Sequence, residues 1–85
     1  MEPRAFFHDE SGAVRFWVRT ATGGWMGAIA RKQVRRFRFG AMESGDDALK
    51  VYQDHRHEID AAVLRRVAAG SIEPVILREA DFKAA

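Results

Sequence analysis

The sequence predicts a two-layer α+β domain, an antiparallel sheet with two helices on one face in the order β-β-β-α-α-β. Three observations carry this. Val14, Phe16 and Val18 alternate with Arg15, Trp17 and Arg19, the period of a strand with one wet face. Turn residues stand on either side, Asp9-Glu10-Ser11-Gly12 before and Thr20-Ala21-Thr22-Gly23-Gly24 after. Beyond residue 44 the period changes to three and four, through Leu49, Tyr52, Arg56, Ile59, Val63 and Val67.

Residues 5–8 read as a short first strand and residues 13–20 as the second, with Trp17 on the solvent side. The Gly23-Gly24 turn returns the chain as a third strand over 25–30. Gly27 within it marks a bulge or a close backbone approach. Residues 31–39 form a short helix with Ala30, Val34 and Phe37 on its inner side, ended by Gly40. Ser44 is placed to cap the next helix, with Asp47 three residues on and Asp46 and Asp47 at the positive end of its dipole. Gly70 closes it. Over 46–69 this helix is roughly 36 Å long against about 25–30 Å for a compact chain of this size, so one helix is expected to run the full length of the domain. Glu73-Pro74 opens a last strand over 75–78, and residues 80–85 form a tail.

Eighty-five residues without repeats or linkers make a single small domain over 1–85, able to bury about 60–65% of its unfolded surface. A deep catalytic cavity is not expected of it. The chain has no cysteine, which removes disulfides, thiolate zinc sites and cysteine nucleophiles. The first residues lack the apolar core of a signal peptide, and no apolar run approaches the roughly 20 residues that cross a bilayer. A cytoplasmic protein without membrane contact is the expectation.

The net charge of +2 hides an asymmetry. Residues 1–42 carry eight bases against three acids, whereas residues 43–85 carry six bases against nine acids. Arg31, Lys32, Arg35, Arg36 and Arg38 crowd one short stretch and are the candidate contacts for an acidic partner or nucleic acid. Arg56, on an otherwise apolar helix stripe, needs either an exit to water or a carboxylate or carbonyl partner.

No catalytic constellation emerges. His55 and His57, two residues apart on a helix, point about 200° apart and do not chelate one ion together. Ser11, Ser44 and Ser71 fall in turns and caps, and Asp54 and Glu58 share one helix face rather than opposing each other across a substrate. Neither an enzyme nor a cofactor is expected. Trp17, with Ile76 and Trp25, points instead to an open sheet face for protein–protein association, with a partner protein or a second copy. The alternative is nucleic-acid binding by the basic helix, residues 31–38.

The segment Phe7-His-Asp-Glu-Ser-Gly-Ala-Val-Arg-Phe16, the following hairpin, Ile29 with a short helix, Tyr52-x-x-x-Arg56-x-x-Ile59 and the closing Val75-Ile-Leu77 resemble the domain of unknown function 1488 family. The resemblance covers nearly the whole chain and implies a short stand-alone bacterial protein with a sheet and two helices. It implies no activity and no catalytic residues. Arg56 matches a polar position of the family, while Ala30 replaces the hydroxyl cap and Gly27 the cysteine found in similar members.

Overall fold

A computed structural model describes residues 3–40 and 45–82, and the fold is α+β. Strand β1 (Phe6–His8) pairs antiparallel with β2 (Ala13–Arg19), and β2 with β3 (Trp25–Ala30). The turns fall where Gly12 and Gly23 take positive φ. Helix α1 (Lys32–Phe39) follows, then α2 (Gly45–Asp54) and α3 (Arg56–Ala68). The chain returns as β4 (Val75–Ile76) and ends its described part in one turn of 3-10 helix (Glu79–Phe82).

The sheet order is β1-β2-β3-β4. The core takes Val14, Phe16, Val18, Ala28, Ala30 and Val75 from the strands, and Val34, Ala48, Tyr52, Ile59, Ala62 and Val63 from the helices. All three helices therefore lie against one face of the sheet.

Five expectations need correction. The sheet is mixed, because β4 lies parallel to β3 with Ala28 opposite Val75. The chain leaves the far end of β3, crosses back through the helical layer and re-enters at the end where β3 begins, so the returning strand runs the same way. This last strand is two residues long rather than four, although the Leu77 amide still donates to the Ile29 carbonyl.

The long helix is two helices. His55 leaves helical geometry (φ −116°, ψ 22°) between α2 and α3. The core stripe passes from Tyr52 to Ile59, and the residues that should anchor it one turn on, His55 and Arg56, are both exposed. Neither side chain enters the core between the sheet and the helices, and aspartate and histidine are weak helix formers. The proposed cap at Ser44 lies outside the described residues, while Asp46 and Asp47 do occupy the first turn of α2. At its far end α3 closes as expected: Gly70 (φ 99°) donates to Val67, and Ser71 to Arg66.

Helix α1 turns a different face inward. Val34 and Arg35 are buried, and Phe37 is 47% exposed. The Arg35 guanidinium donates to the Ala30 and Gly12 carbonyls, each at 2.6 Å, so it ties the end of β3 to the β1–β2 turn. Burial lowers its pKa.

Finally, the tail is docked as far as Phe82. Arg66 reaches from α3 to the Ile76 carbonyl at 3.0 Å and to Asp81 at 2.9 Å, and Asp81 also accepts the Arg78 amide at 2.7 Å. Phe82 closes edge-on against Phe39.

Candidate interaction surfaces

The face of the sheet opposite the helices is built by strand alternation. Phe6 lies opposite Arg15, Arg15 opposite Ile29, Trp17 opposite Gly27 and Arg19 opposite Trp25, and Ile29 continues to Ile76. These pairs run across three strand boundaries and form one surface. Phe6 and Trp17 rings stand 6.1 Å apart, and the Arg19 guanidinium sits 5.5 Å from the Trp25 ring centre. Trp17 is thus on the solvent side, half-buried by its neighbours.

Gly27 is neither a bulge nor a backbone contact. A Cβ there would meet the Trp17 indole nitrogen at 3.3 Å and the Glu73 side chain at 3.4 Å. Glycine therefore lets an indole and a carboxylate fold over the middle of the face. The result has Arg15 and Arg19 on β2 and Glu73 on the β4 side, with Phe6, Trp17, Ile29 and Ile76 between.

The basic stretch does not act as a unit. Arg35 is 3% exposed and committed to two carbonyls, so it is removed from the row of surface bases. Arg38 is matched by Glu58, Nε to Oε2 at 2.5 Å and Nη2 to Oε1 at 3.0 Å. Arg31, Lys32 and Arg36 stay exposed, and among the described residues none of them has an ion pair. Arg31 is extended after the inward Ala30, so alternation directs it away from the helical face.

Arg56 is not the buried guanidinium of the fold. It is 49% exposed and pairs with Asp60 one turn on, Nε to Oδ2 at 3.3 Å. Asp60 also bonds Tyr52, whose ring packs 4.7 Å from Phe16 in the core. Burial pushes the Asp60 carboxyl above the ordinary aspartate range, against the opposing pull of Arg56 and Tyr52. A folded state that holds the proton more tightly than the unfolded chain loses stability as pH rises from about 3.9 through the folded value. Asp60→Asn should therefore raise the urea midpoint at neutral pH and leave it unchanged in acid. An equal shift at both pH values would show that charge is not the cause.

One feature was not legible beforehand, a groove of about 990 Å³ lined by Arg4, Trp17, Tyr52, Gln53 and Arg56 together with the segment before β1. Its residues come from three separated stretches, and no local motif marks them. Among the described residues no three His, Asp or Glu side chains gather as metal ligands. His8 bonds the Ser11 hydroxyl and His55 stacks on Phe39. No described helix is long and apolar enough to cross a membrane. No family model, curated protein or solved structure matches the chain.

Proposed function

We propose that this protein is a small non-enzymatic binding module that acts through protein–protein association, with the open sheet face as its contact surface and a second copy of the chain as its occupant. The observation that carries the reading is the composition of that face: aromatic and aliphatic residues at the centre, arginines along β2 and Glu73 across from them. Tryptophan and arginine are the residues that dominate contact energies, and the apolar centre with a polar rim is how interfaces are built. A two-fold axis parallel to the strands would set the arginines of one copy over the Glu73 side of the other, making the surface self-complementary.

Light scattering over a range of concentrations tests it. The parent chain should reach the mass of a dimer and Trp17→Ser should remain monomeric, with an unchanged circular dichroism spectrum. A parent that stays monomeric, or a Trp17→Ser dimer, would sink the proposal.

A nucleic-acid reading keeps one supporting observation, the exposed Arg15 and Arg19 beside stacking rings, and it moves from the helix to the sheet. Anisotropy of a labelled single-stranded oligonucleotide that falls steeply with salt would favour it. The lack of cysteine supports a reducing cytoplasm. The likeness to the domain of unknown function 1488 family joins the proposal on Tyr52 and Ile59, which are core residues, and on Arg56, which pairs with Asp60.

A further inference from the structure

The sheet has an edge that its own strands leave open. The Thr20 amide donates to the Gly24 carbonyl, so Thr20 points its backbone groups at β3. Direction alternates along a strand. Phe16 and Val18 therefore also bond toward β3, while Ala13, Arg15, Trp17 and Arg19 face the other way. β1 is three residues long and reaches only Ala13 to Arg15. Among the described residues, no strand and no backbone hydrogen bond meets Trp17 or Arg19 on that side.

The groove meets this edge at Trp17, and its other lining residues are the segment before β1 with Arg4, and Tyr52, Gln53 and Arg56 at the α2–α3 break. A chain laid beside Trp17 and Arg19 would find two amides and two carbonyls at ladder spacing. Its side chains would point alternately toward the α2–α3 break and toward the open face.

We propose that the groove is a strand-addition site for an extended acidic peptide, which pairs antiparallel or parallel with residues 16–19 of β2. Charge selects the occupant. Arg4 lines the groove and Arg19 stands two residues beyond Trp17 on the edge, both exposed and with no carboxylate partner among the described residues, while Arg56, which also lines the groove, is paired with Asp60. A second copy of β2 would set these arginines against one another, which disfavours self-pairing at this edge. The inference shares with the proposed function the idea of a protein partner, but it uses the backbone edge rather than the sheet face.

The test uses a fluorescein-labelled peptide alternating glutamate and valine, together with an analogue of identical charge whose alternate backbone amides are methylated. Anisotropy should saturate with the first and not with the second. Amide hydrogen exchange should slow at Trp17 and Arg19 in the saturated complex. Arg19→Pro removes one edge donor without touching the β3 ladder and should weaken binding about tenfold, the loss of one main-chain bond, beyond the effect of Arg19→Gln.

Equal binding of the methylated analogue would reduce the effect to charge and overturn strand addition. So would no binding, or unchanged exchange at Trp17 and Arg19. Protection of these two amides on concentrating the protein without peptide would give the edge to a second copy and overturn the acidic occupant. A dimer abolished by Trp17→Ser, alongside a failed peptide titration, would remove the edge site and leave the face intact.

Discussion

Arg35→Ala should lower stability by about 3–5 kcal/mol, the loss of two bonds from a charged donor at roughly 1.5–3 kcal/mol each. Two carbonyls depend on this side chain, Ala30 at the end of β3 and Gly12 in the first turn. Without the guanidinium both lose a charge-assisted bond in a place where water enters with difficulty. For a chain of this size each 1 kcal/mol moves the thermal midpoint by roughly 4–8 °C, so a drop of at least about 12 °C is expected. Arg35→Lys should recover part of it, since an ammonium can serve one carbonyl but does not span two as the planar fork does. Arg56→Ala, at an exposed site on α3, should cost far less. Thermal and urea unfolding of the three variants measures this. If Arg35→Ala fell within about 1 kcal/mol of the parent, the two carbonyls would have to be satisfied by other means.

Phe16→Ala should be comparably damaging, at about 3–5 kcal/mol. Phe16 sits in the middle of β2, is fully buried, and packs its ring against Tyr52 at 4.7 Å. Deleting it opens a cavity between the sheet and the break in the helical layer, where the neighbours cannot close in without pulling Tyr52 off Asp60. A domain of this length has roughly 4–13 kcal/mol in total, so the variant should be partly unfolded at 37 °C by circular dichroism. Phe16→Leu keeps most of the volume and should lose less than half as much. Tyr52→Phe separates the ring contact from the bond to Asp60. If Phe16→Ala unfolded at the same urea concentration as the parent, the sheet–helix contact would not be the centre of the core.

How far these results could be read in advance depends on the range of the interaction. The β1–β2–β3 meander was legible because alternation and turn residues are local, and so were the ends of α1 and α3 at Gly40 and Gly70. The direction of β4 was not, since Val75-Ile-Leu77 is equally apolar whichever way it runs. The break at His55 was hidden because Arg56 counted toward the period of a helix that it does not anchor. Arg35 was indistinguishable from four neighbouring bases, and its buried role comes from the Ala30 carbonyl together with the distant Gly12 carbonyl. Of the candidate surface, Trp17 and the β2 arginines followed from alternation. Glu73 and the groove depend on contacts between segments far apart in the chain.

The parallel placement of β4 also bears on the order in which the chain assembles. The first three strands meet through tight turns and lose little entropy in doing so. β4 joins β3 only after the intervening chain, three helices long, has been brought back across the sheet. Loop closure of that length yields its reward late, since the contacts that offset it are those of the helices with the strands. Until then the far side of β3 is a bare edge, with the Ile29 carbonyl waiting for Leu77. The Arg66 contacts to Ile76 and Asp81 then act as a latch on the returning strand. Nascent chains should accordingly be most vulnerable to intermolecular pairing at β3, and this vulnerability ends when the segment after Gly70 has been docked.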